Sequence, residues 1–215
     1  MPIYMDRHDL PGVTLSDAAK AHEKDLEYQH EYNCKAMTYW VDEERENAFC
    51  LIQAPSKQAV RDLHNRAHGL IPHEIIEVNS NLVKSFLGRI HDPEPLDDSQ
   101  LTLVSDSAFR ALMVIETSNY IERIESNQFD LFYQKFHNSL NKSIKKFNGR
   151  VVLLKSNSYL VSFKSVTNAV LCALKIQRNI KYITPNFDAN YRKFRIGISS
   201  GIPVTDKDNL FEDAI

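Results

Sequence analysis

Two successive βαββαβ patterns in a chain of 215 residues predict an α+β protein of two modules, each an antiparallel sheet with helices packed on one face. Short apolar strands flank segments of helical period in both halves, and a polar, proline-bearing stretch divides them. A charge reversal marks the same division. Residues 1–78 hold 14 acids and 8 bases, a balance of −6, whereas residues 99–215 hold 10 acids and 16 bases, a balance of +6. Seven of the eight histidines fall in the first 91 residues. The expected division is a first domain over 1–80, a linker over 81–106 and a second domain over 107–215.

The first strand is read at Ile3–His8. Leu10-Pro11-Gly12 turns the chain, and Thr14 caps a helix from about Leu15 to Tyr32, with Asp17 in the fourth position of an imperfect capping box. Strands at Lys35–Val41 and Ala48–Ala54 are joined by the charged turn Asp42–Asn47, a hairpin signal. Ser56 caps a second helix after Pro55, Gly69 ends it, and Glu74–Val78 is the fourth strand. Two such βαβ halves close into a ferredoxin-like sandwich.

Leu82–Ile90 is read as a short helix, and His91–Ser99 as a polar linker containing Pro93 and Pro95. The second module opens with the strand Ala111–Ile115, followed by an amphipathic stretch from Tyr120 to Phe147. Val151–Leu154 and Tyr159–Phe163 form a hairpin. Ser165–Asn179 is a helix with Val166, Ala169, Val170, Ala173 and Ile176 on one face, and Phe194–Ser199 is the last strand.

Composition is globular, with 43% hydrophobic and 25% charged residues. No apolar run approaches the roughly 18–20 residues that span a bilayer, and the N-terminus lacks the basic start and apolar core of a signal peptide. Cys34, Cys50 and Cys172 are odd in number and show no CxxC spacing, so a reducing, cytoplasmic setting is expected. The basic run Lys142–Arg150, with Phe147 its one aromatic, shows no aromatic-basic interleaving and reads as a solvated helix end, so no nucleic-acid partner and no membrane partner are expected.

Histidines carry the candidate chemistry. His22 falls on the apolar face of the first helix with Leu15, Ala18, Ala19 and Leu26, where a buried imidazole must be hydrogen-bonded or coordinated. His64 and His68 are four residues apart on the second helix, so their rings can meet one ion. Asp6 and His8 share a face of the first strand, and Cys50 lies on the third strand with Ala48 and Ile52. Imidazole, carboxylate and thiolate together suit nickel, zinc or copper better than magnesium or calcium. Plain structural roles stand beside this: His22 as a core histidine bonded to a carbonyl, His64 and His68 as complements to the helix dipole, Cys50 as a small hydrophobe. His30, His73 and His91 read as surface residues.

Tyr4–His8, Leu10–Gly12, Ala21–Leu26, Tyr39–Glu43, Phe49–Pro55 and His64–Leu70 together resemble, collinearly over residues 1–80, a family of small nickel-binding ferredoxin-like proteins. The resemblance implies a ferredoxin-like fold, dimerisation and a nickel-type ion held by His8, His22, His64 and His68, with Cys50 and Asp6 as further ligands. A homodimer is expected on a second ground as well, because both faces of strands two and three carry large apolar groups. The alternative is that Leu82–Ile90 folds back over one face.

Gly149–Val152, Ser156–Ser158, Leu160–Phe163, Ala169, Ala173–Gln177 and Arg195–Gly201 resemble the middle of a class III nucleotide cyclase domain. Such domains hold two divalent ions on two aspartates. Here Asn157 stands at one position, and Ile115 or Glu116 at the other, so the resemblance implies a degenerate scaffold without catalysis. It also places Ile215 before the base-reading elements of such a domain. The expectation is therefore a metal-binding sensor or buffer with a catalytically silent cyclase-like domain. Two readings compete: a nucleotide-binding regulator without turnover, and a metal-dependent enzyme with its site in the first domain. Metal affinity is expected to weaken below about pH 6.5, the ordinary imidazole pKa.

Overall fold

The computed structural model describes residues 1–93, 103–116, 126–155, 158–183 and 195–215, without the side chains of 126–133 and 181–183. Two compact units emerge: Met1–Phe109 with Ile202–Asp213 and Ile215, and Arg110–Gly201 with Ala214.

In the first unit, β1 (Ile3–Asp9), β2 (Lys35–Asp42), β3 (Asn47–Gln53) and β4 (Glu74–Glu77) form an antiparallel sheet in the order β2-β3-β1-β4. This is the ferredoxin-like arrangement that the element order predicts. Helix α1 (Leu15–Tyr28) starts at a complete capping box. Thr14 Oγ1 accepts from Asp17 N at 3.2 Å, and the Asp17 carboxylate accepts from Thr14 N at 3.1 Å, a device worth about 1 kcal/mol. The helix tightens to 3₁₀ over Gln29–Tyr32 and stops at Asn33, whose φ of 51° is left-handed. Helix α2 (Lys57–Ala67) begins at Ser56, whose side chain accepts from Ala59 N at 3.2 Å. It ends where Gly69, at φ 77°, turns its N–H to His64 O at 2.9 Å.

The helix-facing side of this sheet is not one apolar core. Tyr4, Ile52, Ala54, Val60, Leu63 and Ile75 form one cluster, and Val13, Ala18, Ala19, Tyr39, Val41 and Ala48 form another. Cys50 packs against both, and the buried Asp6, His8 and His64 belong to neither.

The opposite face carries Met5, Trp40, Phe49 and Leu51, all without exposure. They are covered within the single chain. Helix α3 (Ser80–Leu87) follows β4 and buries Val83, Phe86 and Leu87. Arg89 then stacks over Trp40 at 4.4 Å, and Phe211 meets Phe86 at 4.9 Å. The exposed apolar sheet that argued for pairing is therefore absent, and the covering segment overlaps the one read as Leu82–Ile90.

The second unit repeats the topology. β5 (Arg110–Glu116), β6 (Arg150–Lys155), β7 (Ser158–Phe163) and β8 (Arg195–Gly201) run β6-β7-β5-β8, all antiparallel. Helices α4 (Ser126–Lys146) and α5 (Val166–Ile183) share one core with the strands. Phe136, Leu140 and Ile144, spaced by four, meet Ala169, Cys172, Ala173, Ile176 and Ile180 over Met113, Ile115 and Phe163. The buried stripe of α5 is rotated from the one read in the sequence: Val166 and Val170 are exposed, and Cys172 and Ile180 take their places. Gly149 permits the close approach of α4 to β7, since a Cβ there would lie 2.5 Å from the Phe163 ring.

Candidate metal centre

Strand alternation puts Asp6 and His8 on one face of β1, and the β1–β3 pairing sets Ala48 opposite His8. Cys50 N–H donates to Asp6 Oδ1 at 3.0 Å, so the carboxylate is fixed by backbone from the neighbouring strand. His64 reaches the same carboxylate from α2, its Nε2 2.9 Å from Asp6 Oδ2. His8 Nε2 lies 3.3 Å from Asp6 Oδ1, and the His8 and His64 rings meet edge to face at 4.9 Å. One donor atom from each of Asp6, His8, Cys50 and His64 lies within 4.8 Å of the others.

A second group shares His64. Its Nδ1 stands 3.1 Å from Asp25 Oδ1 and 3.0 Å from His68 Nε2, and His68 Nε2 is 3.3 Å from Asp25 Oδ1. Asp25, His64 and His68 form the other potential ligand set among the described residues. Asp25 was not read as a site residue. The sequence places Leu26 on the buried face of α1, yet Leu26 is 42% exposed and Asp25 only 1%. Its position three residues after His22 was the available signal, since i and i+3 share a helical face.

His22 is buried but stands apart from both groups. Its Nε2 lies 2.9 Å from Asp92 Oδ2 and its ring 5.0 Å from that of Tyr39. His8, His22, Cys50 and His68 nevertheless line one cavity of about 50 Å³. His73 accepts from Asp9 N through Nδ1 at 3.1 Å and is half exposed; it takes no part in this cavity.

Electrostatics favour positive charge beside the two carboxylates. Burial pushes the Asp6 carboxyl up, but His64 and His8 hold it well below the usual carboxylate range. Burial also opposes ionisation of Asp25, and hydrogen bonds from His64 and His68 overcome it. Burial alone would neutralise His64; Asp6 and Asp25 instead raise it to about 10. His64 therefore holds a proton between two carboxylates at neutral pH. Burial, then Asp6 and Asp25, push the Cys50 thiol up, so it favours the protonated form.

The donors fit a transition ion. They combine imidazole, carboxylate and thiol, the set suited to nickel, zinc or copper. His8 Nδ1 and His22 Nδ1 are also buried without a hydrogen-bond partner among the described residues.

At the cyclase-like positions of the second unit, Ile115 is buried in the core and Glu116 is exposed at the end of β5. Asn157 lies outside the described residues. No described helix is long and apolar enough to cross a membrane.

A family model described as "Nickel responsive protein SCO4226-like" matches residues 4–78. SCO4226 from Streptomyces coelicolor A3(2) is 34% identical over 35% of this chain and 94% of its own, with a TM-score of 0.34. An adenylate/guanylate cyclase/hydrolase from Silicibacter pomeroyi is 22% identical over 49% of this chain and 63% of its own, with a TM-score of 0.41. A bacterial light-regulated adenylyl cyclase is 16% identical over 44% of this chain and 54% of its own, with a TM-score of 0.37. The chain thus spans less than two thirds of either cyclase structure. No curated protein matches it.

Proposed function

Because the chain belongs, through residues 4–78, to the SCO4226-like family of nickel responsive proteins, we propose that its first unit binds nickel as a sensor or buffer. The observation that supports this most is the buried meeting of Asp6, His8, Cys50 and His64 beside Asp25 and His68. When bound, the ion supplies the positive charge that the His64 proton supplies in its absence. The protein's own part is to hold two carboxylates ionised in a buried place, to release that proton, and to exclude bulk water from the donors. Calorimetry on the untagged protein tests the reading. Nickel should bind with micromolar or tighter affinity, and a His64→Ala/His68→Ala variant should lose it; equal heats would remove both residues from the site.

The second unit is proposed as a catalytically silent cyclase-like domain, and the protein as a non-enzyme. Ile115 turns into the core, and the neighbouring Glu116 is a surface side chain rather than an aspartate. ATP or GTP with Mn²⁺ should give no cyclic nucleotide above the buffer control, and turnover abolished at Glu116 would reverse this. Homodimerisation remains part of the proposal through the resemblance of residues 1–80, on a surface other than the covered sheet face. A single-chain mass in light scattering, with and without nickel, would exclude it.

A further inference from the structure

The partner of His22 comes from outside the family module. Asp92 follows α3, on the stretch that leads to β5, and lies beyond the matched residues 4–78. We propose that Asp92 is the positioning residue for His22, which faces the metal centre across their shared cavity, so that metal capture and the seating of the chain around Asp92 are coupled. This rests on the nickel-binding reading above.

The geometry is that of a carboxylate–histidine pair beside a ligand cavity. Asp92 Oδ2 takes the Nε2 side of the ring at 2.9 Å, while Nδ1 is buried and bare among the described residues. An Nε2–H given to a carboxylate fixes the tautomer, so the lone pair rests on Nδ1, the atom left for an ion. His22 shares its cavity with His8 and Cys50 of one donor group and His68 of the other. Asp92 has its own anchor. Three residues before it, Arg89 donates to Thr38 Oγ1 and Tyr39 O and stacks on Trp40. Further along, Val104 N donates to Tyr39 Oη at 3.1 Å, and Asp106 O accepts from Val41 N of the edge strand β2 at 3.3 Å. Arg89, Val104 and Asp106 therefore hold the strand whose Tyr39 lies against His22. A ligand that favours the Asp92-bound His22 must favour this seating, and the reverse follows by linkage.

The test compares nickel binding by calorimetry in the untagged full chain with Asp92→Ala, Asp92→Asn, His22→Ala and the His22→Ala/Asp92→Ala double variant. Asp92→Ala should weaken nickel about 10–100-fold, the usual cost of a lost outer-shell partner. Asp92→Asn, which keeps an acceptor, should lose severalfold less. The double variant should bind no more weakly than His22→Ala alone. Trp40, the single tryptophan, reports seating: its emission should respond to nickel in the parent and far less in Asp92→Ala. Equal affinity in the parent and the Asp92 variants overturns the proposal, as does tighter binding in Asp92→Ala, which would make Asp92 a competitor of the ion. Should the alanine variant fail to fold, Asp92→Asn decides on the same criterion. A parent that binds no nickel defeats the functional reading itself.

Discussion

His64 bridges two carboxylates: its Nε2 lies 2.9 Å from Asp6 Oδ2 and its Nδ1 3.1 Å from Asp25 Oδ1, with all three side chains buried. One residue on α2 thereby ties β1 to α1 through charge.

Removing His64 should cost more than a cavity. His64→Ala leaves two buried carboxylates facing each other without their cation, a loss of about 3–5 kcal/mol by analogy with broken buried pairs. Urea unfolding of the metal-free protein measures it. A change below 1 kcal/mol would mean that the pair gains nothing from the ring.

Stability of the metal-free protein should depend on pH from both sides. The His64 pKa is raised in the fold, so its contribution is complete below about 6.5 and is lost as pH rises through about 10. Asp6 and Asp25 are depressed, so theirs is complete above about 4 and is lost in more acid solution. The urea midpoint should therefore be highest near pH 5–6 and fall by pH 9.5; a midpoint still rising at pH 9.5 would contradict this.

Nickel affinity should run the other way. The sequence expectation placed the loss of binding below about pH 6.5, but the proton that must leave His64 is held to about 10. Affinity should therefore keep rising between pH 6.5 and 8.5. Calorimetry in buffers of different ionisation enthalpy should show proton release at pH 8. A plateau above pH 7 would place the titrating group elsewhere.

Gly149→Ala should destabilise the second unit. The added methyl would sit 2.5 Å from the Phe163 ring and 2.9 Å from Ile144 Cγ2, two buried groups with little room to yield. A cost of about 1–3 kcal/mol is expected from overpacking, read as a lower thermal midpoint. An unchanged midpoint would show that the ring can move aside.

Trp40 emission should be that of a buried indole at every protein concentration, because its cover comes from Arg89 of the same chain. A red shift on dilution would mean that a second copy supplies the cover.

Local chemistry was legible without a structure. Thr14 with Asp17, Ser56 and Gly69 mark helix ends because caps are made by residues a few positions apart. The apolar alternation of β1–β3 gives sidedness because a strand repeats every two residues, so Asp6 could be paired with His8, as helical spacing pairs His64 with His68; joining them with Cys50 as one ligand set came from the family resemblance. The register, Asp25 in place of Leu26, the rotated stripe of α5 and the cover over Trp40 were not legible. Each depends on which segment, distant in sequence, packs against it. The fold brings Asp92 to His22 and Val204 O to Arg7 Nη1, 70 and 197 residues away in sequence. Tertiary closure alone decided the charge of His64, because a buried imidazole keeps a proton only where packing sets ionised carboxylates beside it.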